Sequence, residues 1–244
     1  MLRSKRCSEV GNSLGRLWNP VNSHTITGPN PYRALTLIDS LTLFDVIFAP
    51  PIDTLPDLPV DHMPLATAVL QHILTSPDCT NLQSLVVDKT DQYIAWLLAS
   101  FSPWAGYSFP GEETKKNIPA AATAAREGLK MMTKINNIII SSYRNYGLIQ
   151  KTVQKVGLSR SQVGMFVREL GARWRHQYLC ALLFEAIPHW KEGGADGTQK
   201  VLAKYSTFLS QIKEMGLEEA HTFKSILNVR ITSVPSMVLL VNTP

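Results

Sequence analysis

The chain has 244 residues, of which 45% are hydrophobic and 18% charged, and its formal net charge is +5. This composition is typical of a globular protein and excludes a wholly disordered, collagen-like or low-complexity chain. The charge permits a polyanionic partner without requiring one. The 3 cysteines are far apart, so we expect no disulfide framework. The longest apolar runs are shorter than the roughly 20 residues of a spanning helix, so we expect no membrane insertion.

The first two predicted elements are helices. An apolar stripe at helical spacing marks a basic N-terminal helix and consists of Cys7, Val10, Leu14 and Leu17. Asn30 followed by Pro31 predicts the start of the next helix. The asparagine side chain can accept a hydrogen bond from a free backbone N–H of the first turn, and proline has no N–H that would need a partner. That helix continues through Leu35, Ile38 and Leu41.

The middle of the chain combines a proline-rich stretch with short helices. Five prolines between residues 50 and 64 exclude regular helix and predict a linker or surface loop. Helical spacing then predicts helices at about residues 65–73, 93–101, 119–132 and 135–153.

The last third of the chain begins with a capping signal. Ser159 with Gln162 predicts a capping box that opens the longest helix of the chain. Its predicted core positions are Val163, Val167, Leu170, Trp174, Tyr178 and Ala181. We expect Pro188 and Gly193-Gly194 to end it. A further helix is predicted over 201–215, with Gly216 just after its end. Strict alternation of apolar and polar residues, which is typical of strands, is scarce, so the predicted fold class is all-α.

No self-sufficient active site is visible in the sequence. Histidines and cysteines lack metal-ligand spacing, and the glycine-rich 193–197 stretch has neither a preceding strand nor a following Gly-Lys-Ser/Thr. Asp88 and Asp91 lie at a predicted helix start, where capping explains them. Cys180 lies among apolar residues and is predicted to be a core residue.

One basic feature suggests binding to RNA phosphates. On a continuous helix, Arg160, Arg168 and Arg175 fall within about 80° of one another and flank the apolar stripe. Guanidinium groups suit phosphate contact because each presents a planar fork of donors. The predicted RNA-binding residues are Arg160, Arg168, Arg173, Arg175 and Lys155. The alternative is a solvated face paired with Glu169 and Glu185.

Four segments resemble eukaryotic CCA-adding tRNA nucleotidyltransferases, which are class II enzymes of the polymerase-beta-like superfamily. SKRCSEVG at 4–11 is similar to the "SRERVGxEL" helix of the family's neck. GPNPYRALTLI at 28–38, followed by LFDVIF at 43–48, resembles its "GPxPxxALxLIxxLGLxxxIF" stretch. LSRSQVGMFVREL at 158–170 resembles a helix of the family's body domain, and the 209–223 region also fits. The order and spacing hold over roughly residues 2–227.

The resemblance implies an irregular all-α array of neck and body helices with a role in building the 3′-terminal CCA of tRNA. In the family, a head domain carries the carboxylates that bind Mg²⁺, the neck selects CTP and ATP, and the body and tail hold the acceptor and TΨC arms of tRNA. Met1 would lie inside the neck, so no catalytic residue carries over, and we expect the chain alone to be inactive. Mg²⁺, CTP and ATP are expected for the intact family member. Arg6, Ser8 and Glu9 match the neck helix that supports the nucleotide pocket.

The same resemblance suggests a division of the chain. Residues 1–48 correspond to part of the neck and the start of the body, 49–64 to a proline-rich linker and 65–228 to the helical body. Residues 229–244 depart from the family and replace its tail. We therefore expect a gene fragment or a mis-joined gene. The location is expected to be intracellular, with the mitochondrial, cytoplasmic and nuclear compartments not distinguished.

A second class of function is a helical protein-interaction module that does not bind RNA. It would use Tyr93, Trp96 and Phe101 as a binding groove instead of as core residues.

Overall fold

The computed structural model describes residues 28–50, 56–110 and 117–222. The described part of the chain is an array of α-helices, as the sequence predicts, with one pair of two-residue antiparallel strands. The helices are α1 (Pro31–Ser40), α2 (Phe44–Ile47), α3 (His62–Thr75), α4 (Thr80–Gln83), α5 (Lys89–Ser100), α6 (Ala120–Thr123), α7 (Thr133–Val153), α8 (Arg160–Leu170) and α9 (Trp174–Glu214). The strands are β1 (Ser108–Phe109) and β2 (Ile118–Pro119). The predicted N-terminal helix and the divergent 229–244 end lie outside the described residues.

Helix starts agree with the capping signals in the sequence. The side chain of Asn30 accepts a hydrogen bond from the backbone N–H of Arg33 at 3.0 Å, with Pro31 in the first turn of α1. Asp88 caps α5 through the backbone N–H of Asp91 at 2.8 Å. Ser159 and Gln162 form the predicted capping box of α8. Each cap satisfies a donor that the first helical turn leaves free.

The predicted longest helix is wrong, because it is interrupted at Gly171. This residue has φ +72° and ψ −164°, a conformation that is essentially restricted to glycine. A 3₁₀ turn (Gly171–Arg173) follows, and α9 starts at Trp174. The amide of Gln177 donates a 2.7 Å hydrogen bond to the carbonyl of Leu170, so the break has its own polar anchor.

Of the two signals expected to end the helix, Pro188 is wrong, since α9 continues through this residue, whereas the glycine pair interrupts the helix as predicted. Gly193 and Gly194 have non-helical backbone angles and bend the helix into a hairpin. We call residues 174–192 the N-terminal arm and 195–214 the C-terminal arm. Proline inside a helix costs about 3 kcal/mol. Contacts on both sides offset this cost, because Ile187 is buried and Trp190 lies 5.5 Å from the His72 ring of α3.

Three other boundaries differ from the predictions. After α1 the chain turns at Thr42, which has φ +53°, so α2 is a separate short helix. Helix α3 begins at His62, inside the predicted linker, and Pro64 is accommodated in its first turn, where the backbone N–H has no helical partner. The helix predicted over 119–132 is α6 followed by a π-helical turn (Ala124–Gly128). The end of α9 agrees, since Gly216 has φ +64° just beyond it.

One hydrophobic core extends through the described helices. Helix α9 packs against α7, α3 and α5. Phe48 joins the same core through an edge-on contact of 5.5 Å with Phe101 and a 2.9 Å hydrogen bond from Trp104 Nε1 to its carbonyl. Trp96 and Phe101 are fully buried. They therefore do not form the binding groove that the protein-interaction hypothesis requires.

Candidate nucleic-acid interface

Helix α8 carries two of the predicted RNA-binding arginines. Its buried face consists of Val163, Phe166, Val167 and Leu170. Arg160, in the first turn, lies about 70° from the centre of that face, whereas Arg168, in the last turn, lies about 150° from it. The prediction that both flank the apolar stripe therefore holds for Arg160 but is wrong for Arg168, which points toward solvent.

The outward side of α8 is open and positively charged. We call Arg160, Ser161, Met165 and Arg168 the α8 surface; all four are exposed, and Met165 is 71% exposed. In the described ranges, the guanidinium groups of Arg160 and Arg168 form neither an ion pair nor a hydrogen bond. A partner can therefore bind these donors without breaking a contact to any residue that the structure describes.

Arg175 is separated from this surface by the break at Gly171. It lies in the first turn of α9, where its Nη2 lies 3.3 Å from Glu218 Oε1 and its guanidinium lies 5.6 Å from the centroid of the Trp174 ring. Trp174 is itself fixed by a 3.0 Å hydrogen bond from its Nε1 to the carbonyl of Glu218. The single stripe of three arginines predicted for a continuous helix is therefore not formed.

Arg173 and Lys155 occupy the ends of neighbouring elements. Arg173 closes the turn before α9 and is half-buried, whereas Lys155 is exposed two residues after the end of α7. Near Arg173, His176 Nε2 lies 3.0 Å from Asp91 Oδ1. Burial lowers the pKa of His176, and Arg173 acts in the same direction, while Asp91 opposes the shift. This contact links the start of α9 to the first turn of α5.

The two carboxylates expected to neutralise the arginines behave differently. Glu185 is committed to the hairpin of α9, where it pairs with Lys204 and accepts a 2.8 Å hydrogen bond from the Tyr205 hydroxyl. Glu169 is exposed and forms no ion pair with any residue that the structure describes. Glu185 is thus unavailable to Arg160 or Arg168.

Other kinds of site find little support in the described ranges. They contain no group of three or more histidine, cysteine or acidic side chains placed to hold a metal ion. No helix in them is long and apolar enough to cross a membrane. Cys79 and Cys180 are buried, and burial raises the pKa of both thiols. The neck residues Arg6, Ser8 and Glu9 lie outside the described residues.

The sequence prediction omitted a second basic face. Lys134, Arg144 and Lys151 are exposed on α7. The signal that could have identified them is a long stretch of chain with basic residues and no acidic ones.

Comparisons with known proteins find similarity to nucleotidyltransferases, although no family model and no solved structure matches the chain. It is 31% identical over 170 residues to a nucleotidyltransferase of Purpureocillium lilacinum, covering 64% of this chain and 28% of that protein. It is 25% identical over 212 residues to the tRNA nucleotidyltransferase of Schizosaccharomyces pombe, covering 82% of this chain and 41% of the relative. A CCA tRNA nucleotidyltransferase of Candida glabrata, named as mitochondrial, is 25% identical over 151 residues, covering 58% of this chain and 28% of that protein. The matched stretches thus cover less than half the length of each of these relatives.

Proposed function

Because this chain is related to the eukaryotic tRNA nucleotidyltransferases, we propose that it takes part in building the 3′-terminal CCA of tRNA. Its contribution is to bind tRNA, on the acceptor and TΨC arms, rather than to perform the chemistry. In the intact protein the reaction uses CTP, ATP and Mg²⁺, which are held outside the helical body. The body corresponds to residues 65–228, preceded by a neck portion within 1–48 and a linker over 49–64. The compartment is intracellular.

The observation that carries this proposal is the open α8 surface. Arg160 and Arg168 are exposed, and neither has an acidic partner among the described residues. An arginine of this kind can bind a phosphate bidentately and displace condensed counterions, which favours association entropically and makes affinity depend on salt. The contact is to the backbone, so it positions the RNA without recognising its sequence.

The remaining predicted residues have supporting roles in this proposal. Lys155 precedes α8 and adds an exposed positive charge beside the entry of that helix. Arg173 and Arg175 follow the break, where Arg175 already pairs with Glu218. We therefore propose that Arg160 and Arg168 make the principal phosphate contacts, whereas Arg175 orders the start of α9 and contributes less to RNA affinity.

The test is salt-titrated binding of a tRNA transcript to the full chain, measured by fluorescence anisotropy. The variant Arg160→Gln/Arg168→Gln keeps polar side chains at both positions and removes two charges. We expect weaker binding and a reduction of about one unit in the slope of log K against log salt for each arginine removed. The thermal unfolding midpoint is expected to be unchanged, because both side chains are exposed.

The matched control is Lys89→Gln/Lys200→Gln, which removes two positive charges from exposed positions on α5 and α9. This control reports the general effect of net charge on tRNA binding. If the arginine variant has the same affinity and the same salt slope as the lysine control, the α8 surface is not the tRNA site.

A further inference from the structure

One segment of this protein carries positive charge without any acidic residue. Residues 128–168 contain seven basic residues and no aspartate or glutamate: Lys130, Lys134, Arg144, Lys151, Lys155, Arg160 and Arg168. Since the whole chain has a formal charge of +5, the remaining residues together carry a net negative charge. The segment consists largely of α7 and α8, so the charge asymmetry is also an asymmetry between parts of the fold.

Helix α7 arranges part of this charge in a line. On a helix with 100° per residue, Lys134, Arg144 and Lys151 lie within about 100° of arc, with Asn137 between them. The buried residues of α7, such as Ile139 and Tyr143, are centred on the opposite side. The distance from Lys134 to Lys151 along the axis is about 25 Å. We call Lys134, Asn137, Arg144 and Lys151 the α7 stripe.

The α7 stripe is open to solvent. All four side chains are exposed. The ammonium groups of Lys134 and Lys151 form no ion pair or hydrogen bond with the described residues. Arg144 donates a 3.1 Å hydrogen bond to the carbonyl of Asn117, which orients its guanidinium but does not neutralise its charge.

From this arrangement we infer that the α7 stripe is a second surface for the RNA phosphate backbone, distinct from the α8 surface. It takes from the proposed function only that the chain binds RNA, and it does not require Arg160 or Arg168 to contact that RNA. Extended, evenly distributed positive charge matches a phosphodiester backbone, which is uniformly negative along its length. A protein partner fits less well, because protein interfaces have apolar or aromatic centres. Leu148, at 39% exposed, is the single exposed apolar side chain that α7 offers beside the stripe.

Two independent charged surfaces predict separable contributions to affinity. The experiment compares tRNA binding of the full chain, Lys134→Gln/Lys151→Gln, Arg160→Gln/Arg168→Gln, the four-site combination and the Lys89→Gln/Lys200→Gln control. We expect the α7 variant to lower the salt slope by about one unit per lysine removed. The combination is expected to lose about the sum of the two separate reductions, because each phosphate contact that is removed releases its own condensed counterions.

The outcomes separate this inference from the proposed function. An α7 variant that matches the Lys89→Gln/Lys200→Gln control overturns the inference, whatever the α8 variant does. A weakened α7 variant beside an unaffected α8 variant supports the inference and removes the α8 surface from the tRNA site. A parent chain that binds no tRNA at low salt overturns both.

A charge-conserving pair of substitutions guards against an indirect effect of misfolding. Lys134→Arg/Lys151→Arg keeps both positive charges at the same exposed positions. We expect it to retain the parent affinity and salt slope, because contact with the phosphate backbone depends mainly on charge. If this variant loses affinity as severely as Lys134→Gln/Lys151→Gln while its thermal unfolding is unchanged, electrostatic contact at the α7 stripe is excluded.

Discussion

The α9 hairpin and the α8 surface both contain charged side chains, but they use them differently. In the hairpin, Glu185 contacts Lys204 and the hydroxyl of Tyr205 across the two arms. On the α8 surface, Arg160 and Arg168 face solvent with no acidic partner in the described part of the chain. Charges that are paired and partly buried help to define how the helices pack, whereas open charges leave the fold unaffected and remain available to a partner.

The apolar residues of the two regions show the same contrast. Tyr178 is fully buried between the arms, with its ring 5.2 Å from that of Tyr205 and 6.2 Å from that of Phe208. Its hydroxyl donates a 2.8 Å hydrogen bond to the carbonyl of Tyr205. On α8, Phe166 packs edge-on against Phe208 at 5.8 Å, while Met165, the residue before it, is largely exposed. One side of α8 therefore belongs to the core, and the other is free for binding.

The largest effect on stability is expected when a buried side chain inside the hairpin is replaced by alanine. Tyr178→Ala should lower the free energy of unfolding by about 3–5 kcal/mol, because it leaves a cavity and removes a buried hydrogen bond. Met165→Ala on the α8 surface serves as the control and should change it by less than about 0.5 kcal/mol. Denaturant unfolding of both variants measures the difference. Similar losses for the two would contradict the assignment of one to the core and the other to an open surface.

An intermediate effect is expected at the break that separates the two regions. Gly171→Ala should destabilise the protein by about 1–3 kcal/mol, because a Cβ is strained at its backbone angles. Gly147→Ala in α7 should stabilise it by about 0.5–1 kcal/mol, since Gly147 is inside a helix and an added Cβ would meet nothing within 4 Å. Thermal unfolding of this pair should give shifts of opposite sign. Stabilisation by alanine at residue 171 would mean that α8 and α9 form one continuous helix.

The smallest effect on stability distinguishes a paired arginine from an open one. Arg175→Gln removes the contact with Glu218 and should cost about 0.2–1 kcal/mol, because that pair is partly exposed. Arg168→Gln should leave the free energy of unfolding unchanged and reduce tRNA affinity more than Arg175→Gln does. Chemical denaturation and anisotropy on the same two proteins provide both values. Equal losses of tRNA affinity in the two variants would mean that Arg175 is also a principal phosphate contact.

The sequence predicted the helical elements better than their connections. Capping at Asn30, Asp88 and Ser159 was predictable because each cap joins residues only three positions apart. The interruption at Gly171 was missed because a lone glycine inside an apolar helical pattern is compatible with either a continuous or a broken helix. The continuation of α9 through Pro188 was missed because the contacts that offset the cost of this proline come from the distant helix α3. Such contacts leave no local signal in the sequence.

The predicted binding residues illustrate the same limit. The presence of unbalanced arginines near α8 followed from the sequence, but the angular relation among them assumed one straight helix. The pairing of Arg175 with Glu218 joins residues 43 positions apart, and helical spacing carries no information on such a contact. The basic face of α7 was detectable in principle, because it depends only on local periodicity and on the absence of acidic residues from 128–168.

The amino-acid sequence by itself determined the all-α class, the helix caps, the absence of acidic residues from the basic 128–168 segment and the similarity to tRNA nucleotidyltransferases. These properties follow from residue type and from spacing within a few turns of helix. The tertiary structure decided that α8 and α9 are separate, that α9 continues through Pro188, that its two arms pack against each other, and which charges are paired. Such choices depend on contacts between residues far apart in the chain, where packing energy outweighs local helical preference.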